Sequence, residues 1–294
     1  MSTTTSQESQ PLDPAEVAAH YDDLDRFYRE FWGVHVHHGL FSRRGMTPEE
    51  ATRQLIAVVA REAAVRPGAV VCDVGCGYGG TARVLAREYD AQVTALTISA
   101  AQHAYAVAVE PGVQNPVYLL RDWLRNDLDP EAFDAVIAIE SSEHMPSLGA
   151  FFAESARVLK PGGRLVVCAW LTHEHPRGWE KRWLIGPICR EGRMRGMETV
   201  AEYHRLGGAA GLEPLAVHDV SHQVKKTWPI CAGRVARGFV RDPAHRRFLL
   251  REGGPNRVFA LTLLRIWLAY ELGSMRYGIL AFQKPGRSAL SPEI

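Results

Sequence analysis

Two short stretches carry most of the chemistry. The first is Asp73-Val74-Gly75-Cys76-Gly77-Tyr78-Gly79-Gly80, which follows the apolar run Val70-Val71-Cys72. An amphipathic helical pattern comes next. A buried strand, a glycine-rich turn and a helix N-terminus let backbone approach a ligand closely. An acid stands two residues before the first glycine, so the spacing departs from the dinucleotide fingerprint G-x-G-x-x-G. The second stretch is Glu140-Ser141-Ser142-Glu143-His144-Met145. Two carboxylates and an imidazole within five residues are candidate bases, and histidine titrates near neutrality. Asp122-Trp123 adds a carboxylate that can accept from an amine and an indole that can pack a flat ring.

These residues need a frame. Short apolar runs at 69–73, 92–97, 117–120, 133–139 and 164–169 read as strands, separated by helical patterns at 79–89, 100–109 and 148–159. Alternating strands and helices predict a doubly wound, mostly parallel sheet with helices on both faces. In such sheets ligands bind at the carboxyl ends of the strands. Asp73–Gly79, Leu96–Ser99, Asp122-Trp123 and Glu140–His144 all fall at such ends. Before the sheet, 14–32 reads as a helix with Tyr21, Leu24, Phe27, Tyr28 and Phe31 at helical spacing. Thr47-Pro48-Glu49-Glu50 starts another helix, running to about Val65. After the fifth strand, 177–211 reads helical, 214–220 as a sixth strand, 227–273 helical, and 277–283 as the last strand.

D-x-G-C-G-x-G resembles the glycine turn of class I S-adenosylmethionine-dependent methyltransferases. Leu96-Thr97-Ile98-Ser99-Ala100-Ala101-Gln102 resembles the L-T-x-S-x-x-Q form of the cyclopropane-fatty-acid synthases and the tocopherol methyltransferase family. E-S-x-E-H-M at Glu140–Met145, W-G-x-H-x-H-H-G at Trp32–Gly39 and Arg276-Tyr277-Gly278-Ile279 resemble the same branch. The resemblance covers roughly residues 15 to 285 and is weakest where the acceptor would be chosen. It implies a seven-stranded Rossmann-like fold with an N-terminal helical lid and a helical insertion before the last strand. It implies S-adenosylmethionine as cofactor, held by Asp73, Gly75, Gly77, Thr97, Gln102, Asp122, Trp123 and Glu140, with adenine at Asp122-Trp123. Glu140, Glu143 and His144 are then the candidate catalytic groups. Tyr21, Tyr28, Trp32 and His38 are expected on the acceptor side, the aromatics closing over the sulfonium by cation–π contact. The histidine run invites a metal reading, but no carboxylate or cysteine stands beside it, and no metal is expected.

The 294 residues carry a net charge of +1 with 46% hydrophobic residues. The expected organisation is a disordered leader at 1–13, the lid at 14–66, the cofactor-binding core at 67–170, and the rest of the sheet with its insertion at about 225–275. No run of about 18 apolar residues predicts a membrane span. The polar N-terminus is not a secretory signal. Five cysteines without metal spacing suit a reduced, cytoplasmic chain. Charge is uneven: residues 221–294 hold 13 Lys/Arg against 4 Asp/Glu. Those cations read either as solvated helix faces or as a site for an anionic acceptor, with Arg234 and Arg237 meeting the phosphates of a prenyl diphosphate. No nucleic-acid-binding motif accompanies them. The expected activity is methyl transfer to a small amphipathic natural product, phenolic, terpenoid or alkaloid-like. Prenyl diphosphate C-methylation, cyclopropane-synthase-like lipid modification and a noncatalytic cofactor-binding module are the rivals, and a homo-oligomer is compatible with the sequence.

Overall fold

The computed structural model describes residues 12–243, 246–247 and 256–286, without side chains for 256–261. The leader expected at 1–13 lies outside these residues up to position 11, and Asp13 instead caps the first helix by accepting from Ala15 N.

Seven strands form one sheet: β1 (Val70–Val74), β2 (Gln92–Thr97), β3 (Val117–Leu120), β4 (Phe133–Ile139), β5 (Leu159–Thr172), β6 (Glu213–Asp219) and β7 (Met275–Gln283). Their spatial order is β3-β2-β1-β4-β5-β7-β6. All pairings are parallel except those of β7, which runs antiparallel to both β5 and β6. The order reverses between β1 and β4, which places the switch-point crevice at Gly75 and Glu140. The central strands are β-branched and apolar because both faces are covered. One apolar cluster spans β1, β2, β4, β5 and β7 on the side of helix α3 (Pro48–Glu62) and α4 (Gly80–Glu88). A second lies under α6 (Leu148–Val158) and α9 (Val200–Ala209).

The capping residues do what the sequence predicts at α3, where Thr47 Oγ1 and Glu50 form a reciprocal capping box. Elsewhere the helices are more broken than their apolar periodicity implies. The N-terminal helix divides at Leu24 into α1 (Pro14–Asp23) and α2 (Asp25–Phe31). The stretch 177–211 contains a one-turn α7 (Gly178–Glu180), a π turn (Lys181–Ile185), α8 (Gly186–Glu191) and a connection before α9. Between β6 and β7 come α10 (Ser221–Val224), α11 (Thr227–Arg241) and α12 (Asn256–Glu271). Helix α5 (Ala100–Val109) follows β2, capped by Ser99.

The lid is pinned to the core. Asp22 on α1 accepts from Ser99 Oγ and from Ala101 N at the start of α5. Asp25 accepts from the Tyr78 hydroxyl at 2.9 Å.

Candidate active site

Two cavities, each of about 90 Å³, lie at the carboxyl ends of the central strands. The first to consider is bounded by Gly75, Gly77, Thr97, Gln102, Asp122 and Trp123. Gly75 has φ +75°, and a Cβ there would lie 2.4 Å from Ser141 Cβ, so only glycine permits this turn against β4. Thr97 donates to Gln102 Oε1 at 2.8 Å, locking both side chains at the end of β2. Asp122 borders the cavity and caps its 3₁₀ turn by accepting from Leu124 N. Trp123 borders the cavity and also belongs to the core. Its indole is buried against Phe151 and donates to the Phe151 carbonyl, which fixes the ring at the cavity wall.

A smaller hollow continues from this cavity, sharing Val36, Gly75, Gly77 and Ile139 with it. Asp73 and His35 line it. Asp73 is buried, and its Oδ2 has no partner. Burial pushes its carboxyl up to about 7, against the hydrogen bond from Ala82 N. His35 Nδ1 is likewise buried without a partner, and burial lowers this imidazole to about 3. Sequence reasoning missed His35, since nothing in its neighbours distinguishes it from the other histidines of the run. An orphaned carboxylate oxygen and an orphaned imidazole nitrogen around a glycine turn fit a zwitterionic amino-acid tail.

The second cavity is apolar and aromatic. Tyr28, Trp32, Trp170, Trp228, Ile188 and Ile266 are among its walls, with Glu143, Glu191 and His20. Tyr21, Val36, Glu140 and His144 line both cavities and so form the junction.

The three candidate bases differ sharply. Glu140 sits at φ +53°, a left-handed conformation that turns its carboxylate back into the protein. It accepts from His38 N (2.7 Å), His38 Nδ1 (2.9 Å), the Tyr277 hydroxyl (2.7 Å) and Trp170 Nε1 (2.8 Å). Burial opposes ionisation, but the His38 donors outweigh it and hold the carboxyl at about 2. A carboxylate so engaged is a poor proton acceptor, although it borders both cavities. His38 is buried between Glu140 and the insertion: its Nε2 accepts from Trp228 Nε1 at 2.8 Å, with the Tyr270 hydroxyl at 3.2 Å. An indole N–H only donates, so His38 carries its proton on Nδ1. It borders the second cavity as a buried tie rather than as a lid side chain.

Glu143 is buried. Its Oε1 accepts from Trp170 N at 2.6 Å and its Oε2 from Ser142 Oγ at 3.0 Å. Burial pushes it up to about 7. It lines the second cavity and does not reach the first. His144 reaches both. Its Nδ1 lies 2.8 Å from the Arg193 carbonyl and must donate to it, so the neutral ring presents Nε2 as acceptor, 3.0 Å from the Tyr21 hydroxyl. Burial lowers its pKa below the usual histidine value. Tyr28 is held by His20 Nε2 at 3.2 Å and lies beside Tyr21, with ring centroids 5.4 Å apart.

The basic residues do not converge on either cavity. Arg234 donates to the Phe31 carbonyl and faces Glu49, bordering a separate hollow with Trp32 and His35. Arg237 is exposed on α11. The expectation that this pair meets an anionic acceptor is therefore corrected: helical phase turns Arg237 to solvent and commits Arg234 to the lid. Among the described residues the second cavity has no Lys or Arg in its walls. Within the histidine run His37 Nδ1 donates to the His38 carbonyl, while His35 Nδ1 is left without a partner; among the described residues no cluster of three or more His, Cys, Asp or Glu could hold a metal ion.

This sheet order and these paired cavities define a class I S-adenosylmethionine-dependent methyltransferase. The model of the family described as mycolic acid cyclopropane synthetase matches residues 8–232, and the chain belongs to that family. It is similar to the 27-O-demethylrifamycin SV methyltransferase of Amycolatopsis mediterranei, 31% identical with 92% of this chain and 98% of that protein covered. It is also similar to the chloroplastic tocopherol O-methyltransferase of Arabidopsis thaliana, at 28% identity over 92% of this chain and 82% of that one. Among solved structures, the mycolic acid cyclopropane synthase CmaA1 complexed with SAH and CTAB superposes with a TM-score of 0.80 at 23% identity, covering 92% and 98% of the two chains. The cofactor is S-adenosyl-L-methionine, which supplies an activated methyl on a sulfonium.

Proposed function

We propose that the protein methylates a hydroxyl of a small, uncharged, largely apolar natural product, with His144 as the base. One observation carries this reading. Of the groups at the junction of the two cavities, His144 alone is a neutral base with its acceptor nitrogen turned inward and its other nitrogen fixed by a carbonyl. In this reading Asp73 and His35 would hold the amino-acid end of the cofactor in the glycine-turn cavity, Gln102 and Thr97 would face the ribose and Asp122 the base. The acceptor occupies the aromatic cavity. Its hydroxyl would displace or join Tyr21 at His144 Nε2 and give up its proton there as the oxygen takes the methyl, the methyl–sulfur bond breaking to leave S-adenosylhomocysteine. Alignment and exclusion of water supply most of the acceleration, and base catalysis adds about 10²–10⁴-fold. The names of the two similar O-methyltransferases support hydroxyl acceptors, and the rifamycin one supports natural-product tailoring. Five free, buried thiols suit a reducing compartment such as the cytoplasm.

The test is His144→Asn, assayed against a panel of phenolic and macrocyclic hydroxyl acceptors with S-adenosylhomocysteine affinity measured alongside. Retained cofactor affinity with kcat down by at least about 10²-fold supports the reading. Unchanged kcat, or a product methylated at carbon, overturns it.

A further inference from the structure

The basic last quarter of the chain is not explained by the site: Arg234 is committed to the lid and Arg237 faces solvent. The layer of helices that roofs the acceptor cavity has an unusual outer surface. Helix α12 packs inward through Leu263, Ile266, Ala269 and Tyr270, which are buried. Its outward stripe is largely apolar as well: Leu264 is 58% exposed, Trp267 40% and Leu268 38%, ending at Glu271, which pairs with Lys225, with Leu272 exposed just past the helix end. A surface helix ordinarily turns polar residues outward, and one that is apolar all round wants an apolar neighbour. The π turn packs against α12, and Trp183 there is 62% exposed, with the Arg182 guanidinium 5.1 Å from its ring. On the other side α12 packs against α11, whose outer face carries Val240 together with the exposed Arg237 and Arg241.

We infer that this roof docks on an anionic lipid surface. Exposed tryptophan and leucine interleaved with arginine is the composition that lies in a bilayer interface, where the rings enter the headgroup region and the guanidiniums meet phosphates. Charge selects the occupant. Arg237 and Arg241 on α11 and Arg182 beside Trp183, all exposed, complement a negative surface and repel a second copy of the same face. The position of the patch gives the docking a purpose. Ile188, Leu263 and Ile266 on the inner side of the same layer line the acceptor cavity, so an apolar acceptor dissolved in the bilayer lies one helix thickness from its binding site. No helix among the described residues is long and apolar enough to cross a membrane, so the contact is peripheral.

Flotation with vesicles tests this without reference to methyl transfer. The full chain is mixed with pure phosphatidylcholine vesicles or with phosphatidylcholine–phosphatidylglycerol vesicles, at low and high salt. The chain should float with the anionic vesicles and release as salt rises. The double variant Arg237→Ser/Arg241→Ser should bind them about thirtyfold more weakly. Leu264→Ser/Trp267→Ser should bind neither kind, while both variants keep wild-type turnover of a water-soluble acceptor. Absence of flotation by the wild type overturns the inference, as does binding that neither pair of substitutions alters. A lipid-free dimer in sedimentation equilibrium that Leu264→Ser/Trp267→Ser makes monomeric also overturns it, assigning the patch to self-association.

Discussion

The Tyr21 hydroxyl lies 3.0 Å from His144 Nε2, joining α1 to the turn after β4 across 123 residues of sequence. Because His144 Nδ1 is tied to the Arg193 carbonyl, the tyrosine must donate, and this favours the neutral ring. Tyr21→Phe removes that donor. The ascending limb of the pH profile of kcat/KM, set by His144 below the usual 6.5, should then move up toward it. S-adenosylhomocysteine affinity should change little. A pH profile identical to that of the wild type would separate Tyr21 from the proton transfer.

Glu140 should prove structural in its energetics. Its carboxylate satisfies four donors from three separate segments, and Glu140→Gln offers an amide that can accept only with its oxygen. Leaving buried donors unmatched costs about 2–3 kcal/mol. Urea unfolding should show that loss. The acceptor's KM should rise as the His38–Trp228 and His38–Tyr270 ties loosen. Wild-type stability in the variant would mean the carboxylate is not ionised as described.

Asp73 predicts a proton released on cofactor binding. With its carboxyl near 7 in the free protein, about half is protonated at pH 7. A cationic amine beside it favours the carboxylate, so binding should expel about half a proton and tighten as pH rises through 7. Calorimetry with S-adenosylhomocysteine in buffers of different ionisation enthalpy reads this directly. Asp73→Asn should abolish the buffer dependence and weaken binding; a wild-type heat independent of buffer would count against the assignment.

Glu143 carries a stability signature of its own. Its pKa is raised from 4.5 to about 7, so the folded chain holds a proton that the unfolded chain has released. The associated stability is fully present below pH 4.5 and is lost as pH rises through 7. The span is up to about 3 kcal/mol. Glu143→Gln should flatten the dependence of unfolding free energy on pH over that window. Parallel curves for variant and wild type would show that Glu143 ionises normally.

How much of this could be read beforehand depended on whether the signal was local. Asp73 to Gly79, Thr97 with Gln102, and the Thr47 cap are defined by neighbours in sequence, and they stand where their spacing implied. The tie from Glu140 through His38 to Trp228 and Tyr270 links four distant segments, so no window of sequence contains it. Arg234 and Arg237 misled because composition gives the sign of a charge but not its direction. The break at Leu24 has no proline or glycine to announce it. Apolar patterning placed β7 in the sheet without revealing that it runs against its neighbours.

That reversal has an evolutionary consequence. Because β6 and β7 are adjacent and antiparallel, Asp219 pairs with Gly278, and the whole excursion between them leaves and returns at one closed stem. Lengthening such a loop costs little, since closure entropy grows only with the logarithm of its length. The helical roof over the aromatic cavity is therefore an exchangeable part. Its helices can be recut for a different metabolite while the strands that hold the cofactor keep their register, and the requirement passed on is a partner for His38 such as Trp228 or Tyr270.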